Sequence, residues 1–207
     1  MNILVLSPHT DDGEFHCGGS IVRFIEEGAD VFYVAFSTAE KSVPPDFPSD
    51  ILKSEVREAT KTLGIKQADL ILFDYEVRTF PAYRQEILDD IIHLKIDLKP
   101  DLVLLPSTYD THQDHQVIAQ EGFRVFKDVS MIGYEVMRNN LTFSANIFIA
   151  LTADQLQLKL QAVKHYRSQL SKPNCSESFF RNLAQLRGEQ IGVKYAEAFE
   201  GIRWVMR

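Results

Sequence analysis

Two short segments of the chain concentrate residues able to do chemistry. His9-Thr10-Asp11-Asp12-Gly13-Glu14 places an imidazole and three carboxylates within six positions, and Tyr109-Asp110-Thr111-His112-Gln113-Asp114-His115 adds two imidazoles and two carboxylates. His9 and Asp12 offer one nitrogen and one oxygen donor three residues apart, a pairing suited to Zn²⁺. Asp11, between them, is placed to stand beside an activated water and take its proton. His112 and His115 are three apart at a helix start and so point to nearly the same side. His115 is the candidate third ligand. Three protein ligands leave a position open for water and substrate, which separates catalytic from structural zinc sites. His112 is then available to hydrogen-bond or protonate, with Asp114 as its orienting carboxylate.

Taken singly, each segment has a plain alternative. Asp11 and Asp12 could be solvated capping carboxylates, Asp110 or Thr111 an ordinary N-cap, and the histidines satisfied loop or surface residues. Together the segments weigh against it, because they use His9, His112 and His115, half of the six histidines in the chain. Glu14, near a helix start, is expected to complement the helix dipole or bond a loop amide. Gly13 relaxes the backbone at the turn.

The elements that must position these residues alternate short apolar runs with longer amphipathic ones, the pattern of βα units and a mostly parallel sheet. Asn2 to Leu6 reads as a strand buried on both faces, because its apolar residues run continuously. Later strands are expected at Asp30–Phe36, Asp69–Phe73, Leu102–Leu105, Met131–Val136 and Ala145–Ala150. Helices are expected around Ile21–Ile25, over Asp50–Leu63 and Arg84–Lys99, from His112 to Phe126, and over Ala153–Leu170. Lys41–Ser49 holds three prolines and reads as a surface loop or lid. A mixed C-terminal region follows Leu170 and finishes at Arg207. Both chemical segments follow predicted strands, and open α/β sheets bind ligands at the carboxyl ends of their strands. No linker or repeat divides the chain, so residues 1–207 read as one domain.

Composition narrows the function class. The 22 basic residues against 29 acidic give a net charge of -7, which argues against non-specific nucleic-acid binding, since that needs a positive field. No stretch approaches the ~20 apolar residues that span a bilayer. Cys17 and Cys175 are far apart and form no C-x-x-C pair, so a reduced, cytoplasmic protein is expected. No G-x-G-x-x-G follows the first strand, which disfavours a dinucleotide-binding enzyme.

The two segments together resemble the LmbE-like, or PIG-L, deacetylase family. Its first motif, roughly His-Pro-Asp-Asp-x-Glu with a Cys-Gly-Gly helix start, stands here as His9 to Glu14 and Cys17-Gly18-Gly19. Its second, His-x-Asp-His, stands as His112 to His115. Glu55, Leu63-Gly64, Pro100 to Val103, Ser168-Gln169 and the run from Tyr195 to Phe199 extend the likeness over most of the chain. The resemblance implies a Rossmann-like three-layer fold with zinc held by His9, Asp12 and His115. It implies Asp11 as general base, and His112 as the group that stabilises the oxyanion or protonates the leaving amine. It also implies a small-molecule substrate, an N-acylated sugar or glycoconjugate. Thr10 replaces the usual proline, and His16 stands where a small residue is common, so the pocket wall is expected to differ.

Fe²⁺ or another divalent ion is the alternative metal, and a homo-oligomer is compatible with the sequence. A metal-dependent phosphoesterase and a non-catalytic, metal-holding sugar-binding module are the rival readings. The first needs further acidic ligands for two metals. The second has no use for Asp11. Arg57, Arg78, Arg84 and Arg187 are weaker candidates for contact with a substrate anion. Tyr134-Glu135 is a weak candidate for the pocket border. His165 and Tyr166 read as packing or surface residues, and Phe179, Phe180 and Trp204 as core or interface anchors.

Overall fold

Strand β1, Asn2–His9, lies near the middle of a mixed sheet in the computed structural model, which describes residues 1–170 and 175–206. The other strands are β2 (Asp30–Ser37), β3 (Leu70–Leu72), β4 (Leu102–Pro106), β5 (Ser130–Tyr134), β6 (Ile147–Ala150) and β7 (Ala196–Arg203). Among the described residues they form one sheet in the order β3-β2-β1-β4-β5-β7-β6. The first five run parallel, and β7 inserts antiparallel between β5 and β6.

Helices cover both faces, and β1 shows why. Its side chains alternate across the sheet. Ile3 and Val5 pack into a cluster with Ile21 of α1 (Asp12–Glu26), Val56 of α2 (Ile51–Thr62), Leu160 of α5 (Ala153–Lys164) and Phe180 of α6 (Glu177–Glu189). Leu4 and Leu6 pack into a second cluster with Ile91 of α3 (Arg84–Leu98) and Ile118 of α4 (Gln113–Val125). Each fully buried aliphatic side chain contributes about 1.5–3 kcal/mol, so a strand buried on both faces anchors both layers. This is the expected three-layer α/β fold.

The arrangement also explains how two distant segments meet. The chain leaves β1 for β2 on one side, while β4 pairs with β1 on the other, with Ile3 opposite Leu102 and Val5 opposite Leu104. Strand order reverses at this point, and the crevice beyond the strand ends is where such sheets bind ligands. The loops after β1 and β4 face each other across it.

Three elements differ from expectation. β1 runs on to His9 rather than stopping at Leu6, continuing its pairing with β2 as far as Ser37. α5 ends at Lys164, well short of Leu170, and the chain turns so that the Tyr166 side chain is fully buried. The C-terminal region resolves into α6 and β7. Trp204 lies 69 % exposed beyond β7, so core packing is not its role, whereas Phe180 is buried as expected. No helix among the described residues is long and apolar enough to cross a membrane.

Candidate metal centre

His9 closes β1 and Asp12 opens α1, so the tight turn between them brings the carboxylate back onto its own strand. Asp12 Oδ2 accepts the His9 backbone N–H at 2.8 Å and lies 3.2 Å from His9 Nδ1. His115, in the first turn of α4, completes the group. Its Nε2 is 3.4 Å from Asp12 Oδ2 and 3.4 Å from His9 Nδ1. These three atoms form a nearly equilateral triangle. A tetrahedral ion with ligand bonds of about 2.0–2.2 Å has edges of about 3.3–3.6 Å, so the donors fit a zinc-sized cation. The three imidazoles of His9, His112 and His115 also bring ligand atoms within 4.8 Å of one another. His112, however, uses Nδ1 to accept the Asp114 N–H at 3.2 Å, and it is the N-cap of α4. Asp12 closes the tighter set.

Each ligand ring is oriented from behind. Asp110 Oδ2 stands 2.7 Å from His115 Nδ1, and Asp114 Oδ2 stands 2.9 Å from His9 Nε2. With those nitrogens donating, the lone pairs of His115 Nε2 and His9 Nδ1 turn toward Asp12, the arrangement that fixes tautomer and raises ligand basicity. Asp114 therefore orients His9, and not His112 as the sequence suggested. It is the backbone of Asp114 that touches His112. Sequence alone offers Asp110 only as an alternative N-cap beside Thr111, not as the partner of His115. The general need of a ligating histidine for a carboxylate partner was the signal available.

The site favours positive charge. Burial opposes protonation of His115, but Asp12 and Asp110 outweigh it and push its pKa up to about 10 before any cation binds. His9 is also raised, because Asp114 and Asp12 overcome its burial. Burial works to raise the Asp12 carboxyl, yet the two histidines hold it well below the usual range.

The triangle opens into a cleft of about 420 Å³. Asp11 lines it from the N-cap position of α1, where its carboxylate makes no capping bond. His112 lines the same cleft, its pKa lowered chiefly by burial and then by His115 and His9. Because Nδ1 accepts the Asp114 amide, the neutral ring carries its proton on Nε2. His16 also lines the cleft, stacked on Tyr134 at 5.9 Å and held neutral by burial, with a pKa of about 4. Ser42, from the proline-rich loop, reaches the wall as well.

Glu14 departs from its expected role at the helix dipole. It is fully buried between the hydroxyls of Tyr33 and Tyr166, and burial above all raises its pKa to about 8. The same two hydroxyls lie 2.9 Å and 2.6 Å from the Thr10 carbonyl. The peptide between His9 and Asp11 is thus held by residues from β2 and from the turn after α5.

The other candidates sort cleanly. Arg84 pairs with Glu121 and Arg187 with Glu135, both outside the cleft, and Arg57 lies exposed on α2. Arg78 does line the cleft. Tyr134 and Glu135 do not, and Val136 to Asn139 take that place. Phe179 packs against the core and also lines the cleft, and His165 Nε2 sits 2.9 Å from Thr62 Oγ1 at the α2–α5 contact.

Known proteins similar to this chain include deacetylases. Diacetylchitobiose deacetylase of Thermococcus kodakarensis is 26% identical, covering 98% of this chain and 82% of that protein. The structure of N,N'-diacetylchitobiose deacetylase from Pyrococcus horikoshii superposes with a TM-score of 0.80 at 24% identity, over 96% of this chain and 82% of that one. GalB, the 4-carboxy-2-hydroxymuconate hydratase of Pseudomonas putida KT2440, shares the fold at a TM-score of 0.80 and 16% identity, over 100% and 98% of the two chains. The PIG-L family, described as GlcNAc-PI de-N-acetylase, matches residues 4–126. That span holds both motifs and more than half of the sequence, so this chain belongs to the PIG-L family.

Proposed function

We propose that residues 1–207 form one domain that hydrolyses the N-acetyl, or a related N-acyl, group of an amino sugar or glycoconjugate in a metal-dependent reaction. The observation that carries this reading is the triangle of His9 Nδ1, Asp12 Oδ2 and His115 Nε2, opening onto a cleft that Asp11 and His112 share. A cation held there supplies Lewis acidity, polarising the acyl carbonyl and making water a better nucleophile near neutral pH. Zn²⁺ suits the donor set, and Fe²⁺ is the nearest alternative for two imidazoles and a carboxylate.

The remaining work falls to the chain. Asp11 accepts a proton from the attacking water as its oxygen bonds to the acyl carbon. The His112 Nε2–H donates to the oxygen on which negative charge builds. As the C–N bond breaks, the amine leaves with a proton returned by Asp11 or His112, giving a free amine and a carboxylic acid. We place this reaction in the cytoplasm, with small molecules as its partners, and a homo-oligomer is compatible with it.

A two-metal phosphoesterase has less support. Among the described residues the potential ligands form a single cluster, and Asp110 and Asp114 face the backs of the ligand rings.

The test is metal analysis coupled to amine release over N-acetylglucosamine, N,N'-diacetylchitobiose and larger N-acylated glycosides. An unsaturated dicarboxylic acid and a phosphate ester are included for the hydratase and phosphoesterase alternatives. Amine release that requires the metal is expected. A metal-loaded protein that frees no amine, or turns over only the acid or the ester, would falsify the reading.

A further inference from the structure

Behind the cleft lies a second, smaller cavity, and one side chain stands between the two. The cavity holds about 20 Å³, room for about one water molecule. Helices α5 and α6 and strand β7 bound it, through Lys159, Phe180 and Glu197 among others. Among the described residues, His16 alone lines both spaces. A smaller side chain at this position would open one space into the other.

Several elements hold this ring where it stands. Helix α1 breaks at Cys17, whose backbone leaves the helical region at φ -136° and ψ 19° while its Sγ donates to the Gly13 carbonyl at 3.2 Å. Glu197 restarts the helix beyond the break. Its carboxylate accepts the N–H groups of Gly19 and Ser20 at 3.1 Å and 2.7 Å, and the Ser20 hydroxyl at 2.6 Å. A negative charge is favoured where helical N–H groups have no carbonyl partner. Lys159 Nζ, 2.5 Å from the same carboxylate, compensates that charge within the wall of the rear cavity. His16 is the last residue before the break. Its ring stacks on Tyr134 with 10° between the planes and meets Phe15 edge-on. The Tyr134 hydroxyl is tied in turn to the Leu6 carbonyl at 3.1 Å.

Depth decides which part of a substrate meets His16. Arg78, Met137 and Arg138 line the cleft and are exposed, so they mark its mouth. His16 lies one helical turn beyond Asp12 on α1, half-buried, with the rear cavity behind it. The carbonyl carbon of an amide must sit beside the donor triangle, with its nitrogen on one side and its acyl chain on the other. A sugar on that nitrogen has room only toward the mouth, which turns the acyl chain toward His16. We propose that His16 is the specificity-determining residue of the acyl subsite: its ring closes the floor of the cleft against the rear cavity, so that acetyl fits and butanoyl or longer chains do not. The proposal rests on the deacetylase reading and deepens it by naming what limits the acyl group. One surplus methylene in a filled pocket is worth about 10-fold or more in discrimination, because overpacking forces side chains out of their minima.

The experiment uses the full chain loaded with Zn²⁺, as wild type, as His16→Ala and His16→Ser, and as His16→Gln, which keeps a long side chain in place of the ring. Amine release is followed from N-acetyl-, N-butanoyl- and N-hexanoylglucosamine. Calorimetric titration with acetate, butanoate and hexanoate reads the same subsite without turnover. The wild type is expected to favour acetyl over hexanoyl by about 10-fold or more in kcat/KM. That ratio falls about 10-fold or more in His16→Ala and His16→Ser, which also bind hexanoate more tightly than the wild type does, and it is kept in His16→Gln. Circular dichroism and metal content check that each variant is folded and loaded. A wild type that turns over hexanoyl as readily as acetyl overturns the proposal without any variant. So does a ratio unchanged in the small variants, or one that falls equally in His16→Gln, since volume is then not the cause. Release that ignores chain length overturns the role of His16 and leaves the deacetylase standing. Tighter hexanoate binding in the small variants, with no release from any probe, supports the closed floor and removes the deacetylase reading. No release and no change in acid binding overturns both.

Discussion

Asp114 stands directly behind His9, its Oδ2 2.9 Å from Nε2, while the same carboxylate accepts the backbone N–H of Arg78 at 2.6 Å and, through Oδ1, that of Phe80 at 3.3 Å. One side chain on α4 thereby fixes a ligand at the end of β1 and the loop that follows β3. Replacing it with Asn keeps the shape and removes the charge that favours an Nε2 proton on His9. Asp114→Asn is expected to weaken metal affinity by about 10–100-fold, read by competition with a chromogenic chelator. Wild-type affinity in that variant removes Asp114 from the centre.

Asp11 and His112 line the cleft without belonging to the tight donor triangle. Asp11→Asn and His112→Ala should each lower kcat by about 10²–10⁴-fold while the bound metal stays near one equivalent. His115→Ala should instead lose the metal. Elemental analysis beside amine-release kinetics separates the two outcomes, and metal loss in Asp11→Asn contradicts the division of roles.

Glu14 gives a pH signature. Its folded pKa, about 8, lies above the ordinary 4.5, so the folded protein binds this proton more tightly than the unfolded chain. The stability linked to it is complete below about pH 4.5 and is lost as pH rises through 8. Metal-free Glu14→Gln, which mimics the protonated form, should lose less melting temperature than the wild type between pH 5 and 8. The two curves are expected to differ by about 5 °C or more at the alkaline end. Parallel curves by scanning calorimetry would show that Glu14 does not titrate in this range.

Gly13 leaves no room for a side chain, since a Cβ there would meet Tyr33 Cε2 at 2.4 Å. Its N–H also donates to the Tyr33 hydroxyl at 3.0 Å. Gly13→Ala should displace Tyr33 and cost about 1–3 kcal/mol, measured by urea denaturation. Stability within error of the wild type would mean that Tyr33 moves at no cost.

The parts legible in the sequence were those set by local pattern. Continuous apolar runs marked β1 and β4 as buried strands, and the spacing of His9, Asp12, His112 and His115 marked where chemistry gathers. The end of α5 was not legible, because Ala153 to Leu170 keeps helical periodicity. Burial of Tyr166 against Thr10 and Glu14 overrides that local preference. The pairings of Asp110 with His115 and of Asp114 with His9 depend on how β1 and β4 sit side by side, which local pattern does not encode.

Tyr166 gives the far end of the chain a stake in the near one. The family match ends at residue 126, yet a hydroxyl forty residues further on holds the Thr10 carbonyl at 2.6 Å. A truncated gene product that keeps both histidine motifs would retain every metal donor while leaving the link between ligand and base slack. The shortest fragment able to work must therefore extend past Tyr166.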